Sequence, residues 1–127
     1  MNLEKVIFGF FIVLAFTLNF GFFIGEIDNP LHHDVYELFA AIVVNFIATV
    51  LKFGDRTQIG AVHLSTSLVA DLQLIAAAMV WGYGTHVLGT GMTPAVTTSV
   101  VSLAGGALMA NVVSVVILIA ETIMQRR

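Results

Sequence analysis

Four long apolar stretches separated by three short polar breaks make up most of this chain, and they leave few folds open. An apolar run near 20 residues is long enough to cross the hydrocarbon core of a bilayer as a helix. Inside lipid every backbone N–H and C=O must be paired within the protein, so such runs become helices. The pattern predicts an all-α integral membrane protein whose four transmembrane helices form an antiparallel bundle. The helices are expected over about residues 3–24, 35–53, 61–85 and 95–124, which makes 1–127 a single transmembrane domain.

The cations give the bundle a direction. Lys5 precedes the first run, Lys52 and Arg56 occupy the second break, and Arg126 and Arg127 follow the last run. The first break carries Glu26, Asp28, Asp34 and Glu37 with no Lys or Arg. With four crossings all five cations fall on one side, and the positive-inside rule makes that side the cytoplasm. Both termini are then expected on the cytoplasmic side. Composition agrees, with 58% hydrophobic and 10% charged residues, where soluble domains have about 45–50% and 25%. The Arg pair at the end is shorter than a lipid-binding polybasic cluster of about 4–8 cations. Nothing suggests a nucleic-acid partner. The absence of cysteine excludes disulfides, thiol catalysis and cysteine metal sites. The first run, from about Val6 to Gly25, exceeds the usual signal-peptide core of about 7–15 residues and lacks a small-x-small cleavage pattern, so it is expected to remain as a helix.

The breaks read as turns and caps. Asn29-Pro30 marks a turn, because Pro fixes its own φ and restricts the residue before it. Asp34 is the expected N-cap of the second helix, with Glu37 completing an Asp variant of the capping box. The segment Gly54 to Gly60 is a tight turn that makes the second and third helices antiparallel neighbours. Thr93 is a good N-cap and Pro94 a good first helical residue for the fourth helix. Trp81 and Tyr83 fall where amphipathic rings settle among headgroups. Phe residues lie all round the first helix, which predicts a peripheral, partly lipid-facing position with no single dry face.

Asp71 is the main candidate for function. It lies midway along the third run, where insertion scales put an Asp at a cost of about 2.5–3.5 kcal/mol. Such a residue faces a bundle interior or a wet cavity and finds a partner. A rise of about 1.5 Å per residue places Asn45, Asn111 and Gln73 near its depth, so the four are expected to form an interhelical polar layer. His63, Ser67 and Asp71 follow one stripe at i, i+4 and i+8. They are the ingredients of a proton or ion path from the cytoplasmic surface to the midplane. The simpler alternative is glue, in which these bonds only hold helices together.

Thr98, Ser102, Gly106, Ala110 and Ser114 repeat a small-xxx-small pattern and predict a close helix-packing seam, with another helix or with a second copy. His32, His33, Asp34 and His86 share the outer side and are a weak candidate set for a transition metal, since no HxxxH spacing is present. No metal or other cofactor is therefore expected. Trp81-Gly82-Tyr83-Gly84 is a poor match to a potassium-channel filter, because Trp does not suit a narrow pore and a re-entrant segment would send Arg126 and Arg127 outside.

The stretch Val44-Asn45-Phe46-Ile47-Ala48-Thr49-Val50-Leu51-Lys52-Phe53-Gly54-Asp55-Arg56-Thr57, continuing through Asp71, resembles a family of short, uncharacterised four-helix inner-membrane proteins of Gram-negative bacteria. The resemblance spans most of the chain and implies an association with potassium-channel or cation-uptake systems. It brings no catalytic residues. The chain does not resemble the small multidrug transporters, since its first helix has no interior acid, nor the fluoride channels, whose Phe-box and Gly-rich motifs it lacks.

The expected function is a small membrane subunit of an ion-handling system, either a cation or proton conduit or an accessory of a larger cation channel or transporter, and self-associating in lipid. Its alternative is a structural scaffold whose polar layer only sets helix register. An enzyme is not expected, because no nucleophile–base pair or cofactor motif is present.

Overall fold

A computed structural model describes residues 3–25, 29, 33–55, 57–89, 91 and 93–125. Among them are four long α-helices and no strand: α1 Leu3–Phe23, α2 Val35–Lys52, α3 Gln58–Gly82 and α4 Pro94–Gln125. All four are long and apolar enough to cross a membrane. They pack in the cyclic order α1, α2, α3, α4, and the α3–α4 interface is the most extensive. The Lys5–Glu121 ion pair, at 2.9 Å, joins the start of α1 to the end of α4. Lys52 at the end of α2 lies at the same end of the bundle, its Nζ 4.2 Å from the centre of the Phe8 ring.

Local chemistry sets the helix ends. Asp34 accepts from the Tyr36 N–H at 2.9 Å and caps α2. Glu37 does not complete the expected capping box. Its carboxylate lies over Gly21 of α1, where a Cβ would collide with it. The missing side chain at Gly21 leaves that space, and packing against α1 outweighs the local cap. Asp55 accepts from both the N–H and the hydroxyl of Thr57, at 3.0 and 2.7 Å. Thr57 in turn accepts from the Gly60 N–H at 2.9 Å and caps α3. Thr93 caps α4 by accepting from the Val96 N–H at 3.2 Å.

α3 ends in a π-helical turn, Tyr83–Val87. The carbonyls of Tyr83 and Gly84 accept from the N–H groups of Leu88 and Gly91. Trp81-Gly82-Tyr83-Gly84 is thus helical backbone with these carbonyls engaged, not an extended filter. Gly89 and Gly91, with φ of 71° and 70°, supply the left-handed backbone of the turn into α4.

α1 does have one dry face. Phe8, Ile12, Ala15, Asn19 and Phe22 are buried at alternating spacings of four and three. Phe10 and Phe20 point outward while Phe11 and Phe23 are partly buried, so rings occur all round the helix and composition alone hid the stripe. On α3 the polarity is inverted relative to a soluble helix. His63, Ser67 and Asp71 face in, and Leu68, Leu72, Ile75 and Met79 face out. A polar interior under an apolar exterior suits lipid as the surrounding solvent.

Towards the end away from Lys5 and Glu121, the core is mainly apolar, with His33 and Thr97 as buried polar residues. Phe22, Leu38, Leu74, Ala77, Val100 and Val101 form one contiguous buried cluster with the central alanines Ala70, Ala104 and Ala107. Small side chains on both α3 and α4 let these two helices approach closely.

Candidate functional site

Three successive turns of α3 place His63, Ser67 and Asp71 along the bundle interior, all but closed to the outside. The helix is rigid, so their spacing is fixed at about 6 Å per step along the axis. Each neighbouring helix adds groups to this file.

Asp71 is held from α2. The Thr49 hydroxyl donates to Asp71 Oδ2 at 2.5 Å, while the Asn45 carbonyl stands 2.9 Å from the same hydroxyl. One proton thus lies between a carboxylate across the interface and a carbonyl of its own helix. Asp71 Oδ1 is buried and has no partner among the described residues. Asn45 donates back to the Ala41 carbonyl at 2.8 Å, and its Oδ1 is unpaired.

His63 is held from α4. Its Nδ1 lies 2.7 Å from Ser114 Oγ, and its Nε2 is unpaired. The ring is fully buried beneath Phe8, edge-on with centroids 5.0 Å apart. His63 is therefore inside the bundle and not on its outer surface. Phe8 separates it from an open cavity whose wall includes Phe8, Lys52 and Asp55.

The expected layer of Asp71 with Asn45, Gln73 and Asn111 does not form a bonded set. Thr49 takes the partner's place. Gln73 turns to the α3–α4 interface and packs on Gly106, which has no side chain to block it. Asn111 is buried with both Oδ1 and Nδ2 unpaired among the described residues. It sits three residues from Ser114, which puts it about 4.5 Å along the axis from the His63 contact and nearer Ser67 than Asp71. Ser67 Oγ and both side-chain polar atoms of Asn19 are unpaired as well.

Of the small-residue seam, Ala110 and Ser114 are buried, Gly106 takes Gln73, Thr98 is half-buried and Ser102 faces outward. Gly105 beside it takes the Phe23 ring of α1, 2.7 Å from where a Cβ would sit. The glycine pair lets α4 receive both of its neighbours. The buried line itself runs through Thr97, Val100, Ala104, Ala107, Asn111 and Ser114.

The outer histidines do not converge. His33 Nδ1 meets the Phe22 carbonyl at 2.5 Å, Asp34 is occupied as a cap, and His86 stands edge-on to Trp81. His32 lies outside the described residues. Among the described residues no group of three His, Cys, Asp or Glu is placed to hold a metal.

Thr49 and Asn19 were missed as site residues by sequence reasoning. Thr49 had a usable signal, since it stands one helical turn from Asn45 on the same face. Ser114 was placed in the packing seam, and its bond to His63 shows a second role.

The fold defines the class: an all-α chain of four membrane-length helices around a buried polar file. A family model described as a family of unknown function, DUF6394, matches residues 32–122, and the chain belongs to that family. The matched region includes α2, α3 and most of α4, and with them His63, Ser67, Asp71 and Ser114. No curated protein and no solved structure matches the chain.

Proposed function

We propose that this chain is a small subunit of an ion-handling system in the inner membrane of Gram-negative bacteria, with both termini in the cytoplasm. In this reading Asp71 is the group that takes up a proton or cation, and His63 and Ser67 line the approach from the cytoplasmic end. The observation that carries it is the unpaired state of so many buried polar atoms in one file. Ser67 Oγ, His63 Nε2, Asp71 Oδ1 and both polar atoms of Asn111 lack partners among the described residues. Leaving a buried polar group unsatisfied costs about 1–3 kcal/mol. A file whose groups remain available for water or an ion suits conduction better than adhesion.

The apolar cluster of Phe22, Leu38, Leu74, Val100 and Val101 closes the bundle beyond Asp71. This favours an accessory or gated role, with access from one side, over a permanently open pore. A scaffold remains the second reading, supported by the back-bonded Asn45 and by the fit of Gln73 to Gly106.

The test is flux of H⁺, K⁺ and Na⁺ into liposomes carrying wild type or Asp71→Asn, alone and with co-purifying membrane partners. A flux that the substitution abolishes supports the ion-handling reading. Wild-type flux no greater than that of empty liposomes, together with unchanged assembly of the variant, leaves the scaffold.

A further inference from the structure

The end that carries Lys5 and Glu121 has a second feature, which the polar file does not use. An open cavity of about 680 Å³ lies between the start of α1 and the end of α2, with Glu4, Lys5, Lys52 and Asp55 on its wall. A second hollow of about 250 Å³ runs along α2 and is lined by Phe46, Ile47, Val50 and Leu51. Val50 and Leu51 belong to both, so the charged cavity opens directly into an apolar groove.

The geometry points to a specific phospholipid site, with the headgroup in the charged cavity and the upper part of one acyl chain along Phe46 to Leu51. Lys52 and Phe46 are six residues apart, about 9 Å along the helix, which matches the step from a headgroup into hydrocarbon. Each Lys ammonium has three donors. Lys5 uses one on Glu121 at 2.9 Å, and Lys52 uses one on Asp55 at 3.4 Å, so both have donors for phosphate oxygens.

The sign pattern selects the headgroup. Two cations and two carboxylates share the wall, with Glu121 behind Lys5. A purely anionic headgroup complements only the lysines. A zwitterionic headgroup that ends in a primary ammonium complements both signs, with phosphate towards Lys5 and Lys52 and ammonium towards the carboxylate side of the wall. The ligand is accordingly a phosphatidylethanolamine.

Native mass spectrometry of the purified full chain, titrated separately with phosphatidylethanolamine, phosphatidylglycerol and phosphatidylcholine, tests this. Wild type should retain one phosphatidylethanolamine. The double variant Lys5→Met/Lys52→Met should bind it at least about tenfold more weakly, the equivalent of 1.4 kcal/mol. Val50→Trp, which fills the junction of cavity and groove and leaves both lysines in the chain, should weaken it similarly. Leu72→Trp, on the lipid-facing side of α3, should not. Equal retention by wild type and by the folded Val50→Trp variant overturns the site. Tighter binding of phosphatidylglycerol than of phosphatidylethanolamine overturns the headgroup assignment.

Discussion

His63 Nδ1 and Ser114 Oγ, 51 positions apart in the chain, meet at 2.7 Å in the bundle interior. The contact ties α3 to α4 at a point where the other ring nitrogen has no partner among the described residues. Ser114→Ala would leave the imidazole with neither nitrogen satisfied. The expected loss is about 1–3 kcal/mol of unfolding free energy, read by denaturant titration in detergent micelles. Ser102→Ala, on the outward face of the same helix, should stay within about 0.5 kcal/mol. Equal effects at the two serines would remove the bond as a structural element.

Thr49 and Asp71 provide a second test. Thr49→Val keeps the shape and removes the donor, leaving the buried carboxylate without its partner. It should destabilise by about 1–3 kcal/mol, and Thr49→Ser should recover most of that. A double-mutant cycle with Asp71→Asn isolates the pair. A coupling of at least about 0.5 kcal/mol is expected for residues in contact. Additive effects would mean that the hydroxyl serves only its own helix through the Asn45 carbonyl.

Gly106 is expected to tolerate a side chain only if Gln73 yields. Gly106→Ala alone should cost about 1–3 kcal/mol through overpacking. In a Gln73→Ala background much of that cost should vanish, because the carboxamide that the new methyl would strike is gone. Thermal unfolding of the four combinations reads the relief. A Gly106→Ala penalty unchanged by Gln73→Ala would mean that the two helices close on something other than this pair.

The pattern of apolar runs was enough to read the four helices, because periodicity and caps are local properties of the chain. Asp34 and Thr93 cap helices where turn chemistry puts them, while Thr57 caps α3 and starts it at Gln58, three residues before the expected position 61. Depth along each helix was legible to about one turn, since rise per residue is fixed: Gln73 lies near the height of Asp71, while Asn111 falls nearer Ser67. Rotation was not. Gln73 turns to Gly106 and Thr49 takes Asp71, because which faces meet depends on how small residues on neighbouring helices nest. The dry stripe of α1 was hidden for a related reason. Phe suits both a core and a lipid surface, so its distribution does not distinguish them.

Asp55 gives the turn between α2 and α3 a pH dependence. The Thr57 hydroxyl, the Thr57 N–H and the nearby Lys52 ammonium stabilise its carboxylate and hold its pKa below the ordinary value of 3.8. A lowered pKa contributes stability that is present above 3.8 and is lost as pH falls through the folded-state value. Amide hydrogen exchange at Thr57 and Gly60 should therefore stay protected near neutrality and accelerate, beyond the intrinsic pH effect, only below pH 3.8. Asp55→Asn should remove that extra step. A transition centred above 3.8 would show that the carboxylate is not held by Thr57.

Phe8 stands between the open cavity and the polar file, and its removal should uncover His63. The ring is 1% exposed, lies edge-on to the imidazole at 5.0 Å and carries the Lys52 ammonium on its face. Phe8→Ala removes a buried aromatic side chain at a cost of about 3–5 kcal/mol, so the comparison belongs at low temperature in a stabilising detergent. Diethylpyrocarbonate, which acylates accessible imidazoles, should label exposed His86 in wild type and spare His63. In Phe8→Ala the His63 peptide should become labelled while buried His33 remains protected. Labelling of His33 along with His63 would signal general loosening, and the separate thermal scan identifies that case. Phe8→Leu supplies the folded comparison, with partial labelling of His63 and none of His33. Continued protection of His63 in a folded Phe8→Ala protein would place the barrier to the polar file somewhere other than this ring.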